Sequence, residues 1–216
     1  RLYTVNEKPA AIKGNPVYQS ANGEWRLTTS ERKRILLNNI YGVDIDSQAV
    51  EVTKLSLLLK VLEGETDETL STQLRFFRER ALPDLGNNIK CGNSLIGPDF
   101  YDQMEMNFLD DEEKFRINVF DWNEEFKEIM NNGGFDVVIG NPPYINLSNI
   151  SIEQKNYFQK HSNIKETFVD IFDVFIMRSI ELLNKNASFS FIIPSLFTKG
   201  MNFRNRRKLS FRSYFV

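Results

Sequence analysis

Residues 136–145 read Asp136-Val137-Val138-Ile139-Gly140-Asn141-Pro142-Pro143-Tyr144-Ile145. A largely apolar run, 135–139, reads as a strand and suits a central place in a parallel sheet. It then meets an asparagine, two prolines and a tyrosine. Each proline fixes its own φ, restricts the residue before it and removes an N–H donor. A rigid turn after a strand accounts for the two prolines. It does not account for Asn141 before them or Tyr144 after them.

Working outward, 121–131 is predicted as a helix ended by Asn132-Gly133-Gly134. Residues 170–183 have strong helical amphipathicity, and 188–193 read as a strand stopped by Pro194. Upstream, 1–27 is mixed and polar and is expected to be an irregular connection. Thr29 or Ser30 can cap a helix running to Asn38. Residues 40–45 read as a short buried strand, and Asp46 or Ser47 caps a helix over 48–62. Val50, Val52, Leu55, Leu58, Leu59 and Leu62 are predicted as its broad buried face. The segment 63–84 is polar and 97–113 acidic and irregular, with a short strand at 88–91 between them. Strands alternating with helices imply βαβ units, an α/β fold and a parallel sheet. Ligands on such sheets bind beyond the carboxyl ends of the strands. Asp44, Asn93 and Asn141 each follow a candidate strand there, and are expected to line one crevice.

Composition narrows the chemistry. The chain has 216 residues, 41% hydrophobic with 18 Phe, which suits a packed globular protein of ordinary domain size. Apolar runs such as Leu57-Leu58-Leu59 are far too short to span a bilayer. One cysteine, Cys91, rules out a disulfide framework within the chain and points to a reducing, cytoplasmic setting. One histidine, His161, with that cysteine makes neither a His/Cys zinc site nor a Cys/His dyad, so no metal is expected. The net charge of −2 hides an asymmetry. Eleven acids fall in 99–128, whereas no acid follows Glu181 and seven cations do. That basic tail suits either a phosphate backbone or the outer face of a helix.

The remaining candidates are amides, carboxylates, carbonyls and aromatics. Asp44 can accept two hydrogen bonds from ribose hydroxyls, while Asp46 is better placed to cap the next helix. Ile45 offers an apolar face to an adenine ring. The Asn93 amide can both donate to and accept from an adenine edge; the alternative is an Asx-turn beside Gly92. An exocyclic adenine amine is a poor nucleophile, because its lone pair is delocalised into the ring. The Asn141 side-chain oxygen and the Pro142 carbonyl can each accept one of its hydrogens. Holding both draws the nitrogen toward tetrahedral geometry and frees the lone pair. The prolines aim these acceptors, and Tyr144 can stack on a base that has left the duplex.

These residues resemble a known family. The blocks "NNIYGVDIDSQAVEVTKLSLLLK", "NIKCGNSLIG", "FDVVIGNPPYI" and "DIFDVFIMRSIELLNKNASFSFIIPSLF" follow the order seen in γ-type DNA adenine-N6 methyltransferases. The version here is similar to those in large restriction–modification polypeptides. The resemblance spans about 28–199. It implies a Rossmann-like, S-adenosylmethionine-dependent fold acting on double-stranded DNA. It assigns Asp44 and Ile45 to the cofactor ribose and adenine, Asn93 and Ser94 to the adenine edge, and Asn141, Pro142, Pro143 and Tyr144 to catalysis. It also assigns the helix over 170–183 to the wall on the methionine side.

The chain departs from that pattern at both ends. The expected glycine-rich loop and first strand do not precede Asn39, and the later strands do not follow Pro194. The fold is therefore expected to be an incomplete methyltransferase sheet. The sequence divides into a connection (1–27), a partial catalytic domain (28–199) and a basic tail (200–216), as in an internal fragment of a larger enzyme. Two alternatives remain open. A protein glutamine-N5 methyltransferase also uses Asn-Pro-Pro-Tyr, although the acidic insertion fits it poorly. An inactive remnant or interaction domain is the other.

Overall fold

A computed structural model describes residues 16–20, 22–63, 83–103, 111–161 and 170–192. Most of the polar segment 63–84, part of the acidic segment, Pro194 and the basic tail lie outside these residues. The fold is mixed α/β. The backbone divides into two compact units, Arg1–Gly92 and Asn93–Val216.

The first unit opens on a hairpin rather than the irregular connection expected. Strand β1 (Val17–Gln19) pairs antiparallel with β2 (Trp25–Leu27). Gly23 turns the chain at φ +81, a conformation that glycine adopts without penalty. Helix α1 (Thr29–Asn39) is capped by Thr28, one residue before the predicted cap, with the Glu31 N–H donating to Thr28 Oγ1 at 3.3 Å. Thr29 cannot serve, because it is already helical and buried. Strand β3 (Gly42–Asp44) pairs parallel with β4 (Ile89–Cys91), joined through helix α2 (Ser47–Leu62), whose cap is Asp46 as expected.

The core of this unit is Leu36, Val50, Leu85 and Ile89, flanked by Leu37, Leu57, Leu58 and Val61. Helix α2 therefore buries the stripe 50, 57, 58, 61, one face at helical spacing. The broader face predicted from the sequence is not buried. Val52, Leu55 and Leu59 are 64%, 55% and 58% exposed. They form a second stripe at i, i+3 and i+7, turned away from the β3–β4 side. Buried Asn88 closes the end of α1, donating its side-chain amide to the carbonyls of Leu37 and Ile40, both at 2.9 Å. Those carbonyls would otherwise lack helical partners.

The second unit carries a 3₁₀ turn (Pro98–Gln103) and helix α3 (Asp111–Ile117). The helix predicted over 121–131 is split into α4 (Trp122–Glu125) and α5 (Lys127–Asn131). The break falls at Phe126, with φ −126 and ψ 44, where the ring turns in to pack with Phe120, Trp122 and Phe135. Gly133 and Gly134, both at positive φ, lead into β5 (Phe135–Gly140).

Strand β5 runs parallel to β6 (Leu183–Phe191), with Val138 opposite Phe189 and Gly140 opposite Phe191. Parallel neighbours need a long crossover. It contains a 3₁₀ turn (Leu147–Asn149), α6 (Ile152–His161) and α7 (Ile171–Leu182). Buried Phe172 and Ile176 of α7 pack on Phe189 and Phe191. Among the described residues β5 pairs with β6 alone. On the face away from α7, Val137 and Ile139 are 60% and 77% exposed, opposite Ser188 and Ser190. Among the described residues β5 thus stands beside one strand, and α7 covers one of its faces.

Candidate active site

The Asn141–Tyr144 loop leaves the carboxyl end of β5 and is held on both sides. The Ile192 N–H donates to the Gly140 carbonyl at 3.2 Å, and the Tyr144 hydroxyl donates to the Ile192 carbonyl at 3.1 Å. Beyond the loop, the Ile171 N–H donates to the Ile145 carbonyl at 2.9 Å, and Asn146 bridges Asp170. Pro142 is buried, while Asn141, Pro143 and Tyr144 are exposed. Among the described residues the Asn141 side chain and the Pro142 carbonyl have no hydrogen-bond partner. Two acceptors therefore stand open at a strand end, beside an aromatic ring whose hydroxyl is tied down. A Cβ at position 140 would lie 2.9 Å from Phe191 Cε1, so glycine there lets the Phe191 ring keep its place.

In the first unit, Asp44 and the half-exposed Ile45 stand together at the end of β3. The Asp46 N–H donates to Asp44 Oδ1 at 2.9 Å, so one carboxylate oxygen of Asp44 is engaged locally while Asp46 caps α2.

Asn93 and Ser94 open a tight turn in the second unit. The Leu95 N–H donates to Asn93 Oδ1 at 3.1 Å, so the Asx-turn alternative is realised. The side-chain NH₂ of Asn93 donates to no described residue and keeps the donor half of the reading. Asn93 and Asn141 make no direct contact. Their segments meet through one apolar cluster, in which Leu95 and Ile96 pack with Leu147, Tyr157, Phe158 and Val174.

Three further residues touch this turn and carry no signal in the sequence. Trp122 Nε1 donates to the Ser94 carbonyl at 2.9 Å, and an Arg178 guanidinium nitrogen donates to the Leu95 carbonyl at 3.1 Å. The Gly97 N–H donates to the Tyr157 hydroxyl at 3.0 Å. Each contact spans 28 residues or more, beyond the reach of any local pattern. Among the described residues, no group of three or more His, Cys, Asp or Glu could hold a metal ion. No helix among them is long and apolar enough to cross a membrane.

The sequence model of the Eco57I restriction-modification methylases matches residues 38–215. The chain belongs to this family. Within it, the chain is 35% identical to the Escherichia coli type II restriction enzyme and methyltransferase RM.Eco57I, covering 91% of this chain and 17% of that protein. It is 25% identical to a putative type II restriction enzyme and methyltransferase of Methanocaldococcus jannaschii, covering 82% of this chain and 24% of the other. An adenine-specific methyltransferase, PglX of Streptomyces coelicolor, is 28% identical over 125 residues, or 56% of this chain and 10% of PglX. The chain thus spans a quarter or less of these relatives.

Proposed function

We propose that this chain supplies the amino-methylating part of a DNA adenine-N6 methyltransferase of the Eco57I restriction-modification family. The observation that carries the reading is the pair of open acceptors, Asn141 Oδ1 and the Pro142 carbonyl, at the end of β5 beside Tyr144. A planar amine with two hydrogens satisfies both. Tyr144 receives the extruded base on its ring face. Neither proline offers a donor that would compete with the amine. The names of the relatives, restriction enzymes and methyltransferases with an adenine-specific one among them, support DNA adenine as the acceptor.

The residues at the strand ends fit S-adenosylmethionine. Asp44 Oδ2 suits ribose hydroxyls, exposed Ile45 suits the flat adenine, and the Asn93 NH₂ and Ser94 suit its edge. When bound, the cofactor supplies a methyl group activated by a sulfonium. Asn141 Oδ1 and the Pro142 carbonyl would hold both hydrogens of the adenine amine and free its lone pair for the methyl group that the cofactor would supply. The surplus N–H proton then passes to water.

The test is single-turnover methylation of an oligonucleotide duplex by the full natural polypeptide. Asn141→Ala removes one acceptor and is expected to slow transfer about 10²–10³-fold, the usual cost of losing one preorganised polar group. An unchanged rate would sink the assignment. Methyl transfer to a protein glutamine but not to DNA would replace the substrate while leaving the chemistry in place.

A further inference from the structure

The Asn93–Gly97 turn is gripped along its whole backbone. The Asn93 N–H donates to the Asn118 carbonyl at 2.6 Å, the Ile96 N–H to the Asn93 carbonyl at 3.2 Å, and the Phe120 N–H to the Ile96 carbonyl at 2.8 Å. Trp122 holds Ser94. The last two grips come from side chains on α6 and α7, the helices that follow the Asn141–Tyr144 loop. Arg178 of α7 takes the Leu95 carbonyl while also pairing with Glu181 at 2.9 Å.

Tyr157 of α6 is fully buried in the apolar cluster, and its hydroxyl is used twice. It accepts from the Gly97 N–H and donates to Asp99 Oδ1 at 2.9 Å. His161, one helical turn on from Tyr157, lies with Nε2 2.9 Å from the other oxygen of Asp99. The fit is close: a Cβ at position 97 would lie 2.7 Å from Asp99 Oδ1 and 3.3 Å from the Tyr157 hydroxyl. Burial raises the Tyr157 phenol above its usual value, and Asp99 adds to this while the Gly97 N–H opposes it. The hydroxyl therefore stays protonated and serves as donor and acceptor at once.

We propose that Tyr157 and Arg178 are positioning residues. They clamp the Asn93–Gly97 turn from the two helices beyond the catalytic loop, so that the acceptor side of the unit holds the cofactor-reading turn in shape. The proposal rests on the assignment of Asn93 and Ser94 to the cofactor. Neither clamp residue touches the reacting atoms. Tyr157→Phe keeps the ring in the core and deletes both hydroxyl bonds. Arg178→Lys keeps one donor for the Leu95 carbonyl, and Arg178→Ala keeps none.

The experiment pairs amide hydrogen exchange at residues 95–97 with calorimetric titration of S-adenosylmethionine into the full natural polypeptide. Ser179→Ala is the control. It deletes a buried hydrogen bond of α7, to the Phe175 carbonyl, without touching the turn. We expect Tyr157→Phe to speed exchange at Gly97 and weaken cofactor binding about tenfold, the factor that 1.4 kcal/mol makes. Arg178→Lys should fall between wild type and Arg178→Ala, and Ser179→Ala should leave affinity unchanged. Unchanged exchange in Tyr157→Phe overturns the clamp and leaves the cofactor assignment standing. Faster exchange with unchanged affinity overturns the positioning role alone. A wild-type full polypeptide whose cofactor affinity is unchanged by Asp44→Ala and Asn93→Ala overturns the assignment and the clamp's role together.

Discussion

The Tyr144 hydroxyl and the Ile192 carbonyl, 3.1 Å apart, join the Asn141–Tyr144 loop to the residue following β6, 48 positions later in the chain. Ile192 also donates its N–H to Gly140, on the other side of the loop. One residue thus grips the Asn-Pro-Pro-Tyr segment before and after its prolines. Tyr144 is held by its hydroxyl while the residue stays 55% exposed.

Tyr144→Phe separates these roles. It should lower stability by about 0.5–1.5 kcal/mol, the usual net worth of one hydrogen bond. Because the stacking ring remains, the methylation rate should change only a few-fold. Tyr144→Ala removes the ring as well and should cost far more rate than stability. Chemical denaturation beside single-turnover methylation measures both; equal rate losses in the two variants would remove the stacking role.

Asn141→Ala, by contrast, should leave the melting temperature of the chain within error. The side chain is exposed and makes no hydrogen bond to a described residue, so nothing folded depends on it. A clear loss of stability would mean that Asn141 serves the fold instead of a substrate.

Adjacent glycines should respond differently to the same change. Gly133→Ala meets open space and only the backbone penalty of φ +101, about 1–2 kcal/mol. Gly134→Ala, at φ +106, would place a Cβ 2.3 Å from the Leu182 carbonyl oxygen and 3.1 Å from its carbon. Backbone must move, and the loss should be about 3 kcal/mol or more. Urea denaturation of the two variants gives the comparison, and equal losses would refute the close approach.

Tyr157 should shape the alkaline limb of stability. Burial raises its phenol in the folded state, so the folded chain holds that proton more tightly than the unfolded chain. The stabilisation is fully present below the unfolded value, about 10, and is lost as pH rises through the higher folded value. Melting temperatures measured upward from pH 9 should fall less steeply in Tyr157→Phe than in wild type.

The two stripes of α2 should also separate. Leu59→Gln should change stability by no more than about 0.5 kcal/mol, as for other exposed positions. Leu58, on the other stripe of α2, packs against the buried cluster. Leu58→Ala should cost about 2 kcal/mol or more, and a comparable loss in Leu59→Gln would show that the second stripe is covered in solution.

The local parts of this fold were legible in the sequence and the mutual parts were not. Asp46 as the cap of α2, and β5 running into the Asn-Pro-Pro-Tyr loop, follow from residues within a few positions of each other. The same local signal misplaced the cap of α1 by one residue, since Thr28, Thr29 and Ser30 all carry suitable hydroxyls. Helix α2 is apolar on two sides, and periodicity alone does not say which side finds a partner. The break at Phe126 follows from an aromatic cluster assembled from 120 to 135. In the candidate site, the Asn141 side chain and the Pro142 carbonyl have no hydrogen-bond partner among the described residues. Asn93 Oδ1 makes the Asx-turn that was its alternative reading, and Asp44 Oδ1 accepts the Asp46 N–H, since the same side chain serves a turn and a ligand equally well. Tyr157 and Arg178 were invisible because their roles exist only across the folded chain.

The contact between Gly140 and Phe191 bears on how a mutational scan of this chain would read. Any side chain at 140 meets the Phe191 ring, so either that ring or the strand end from which Asn141 projects has to shift. Position 140 should therefore score with the most intolerant sites, beside residues assigned to the chemistry, although it touches no reactant. Only a compensating smaller residue at 191 would reveal the difference: it should restore tolerance at 140, whereas no change at 191 should rescue the loss of Asn141.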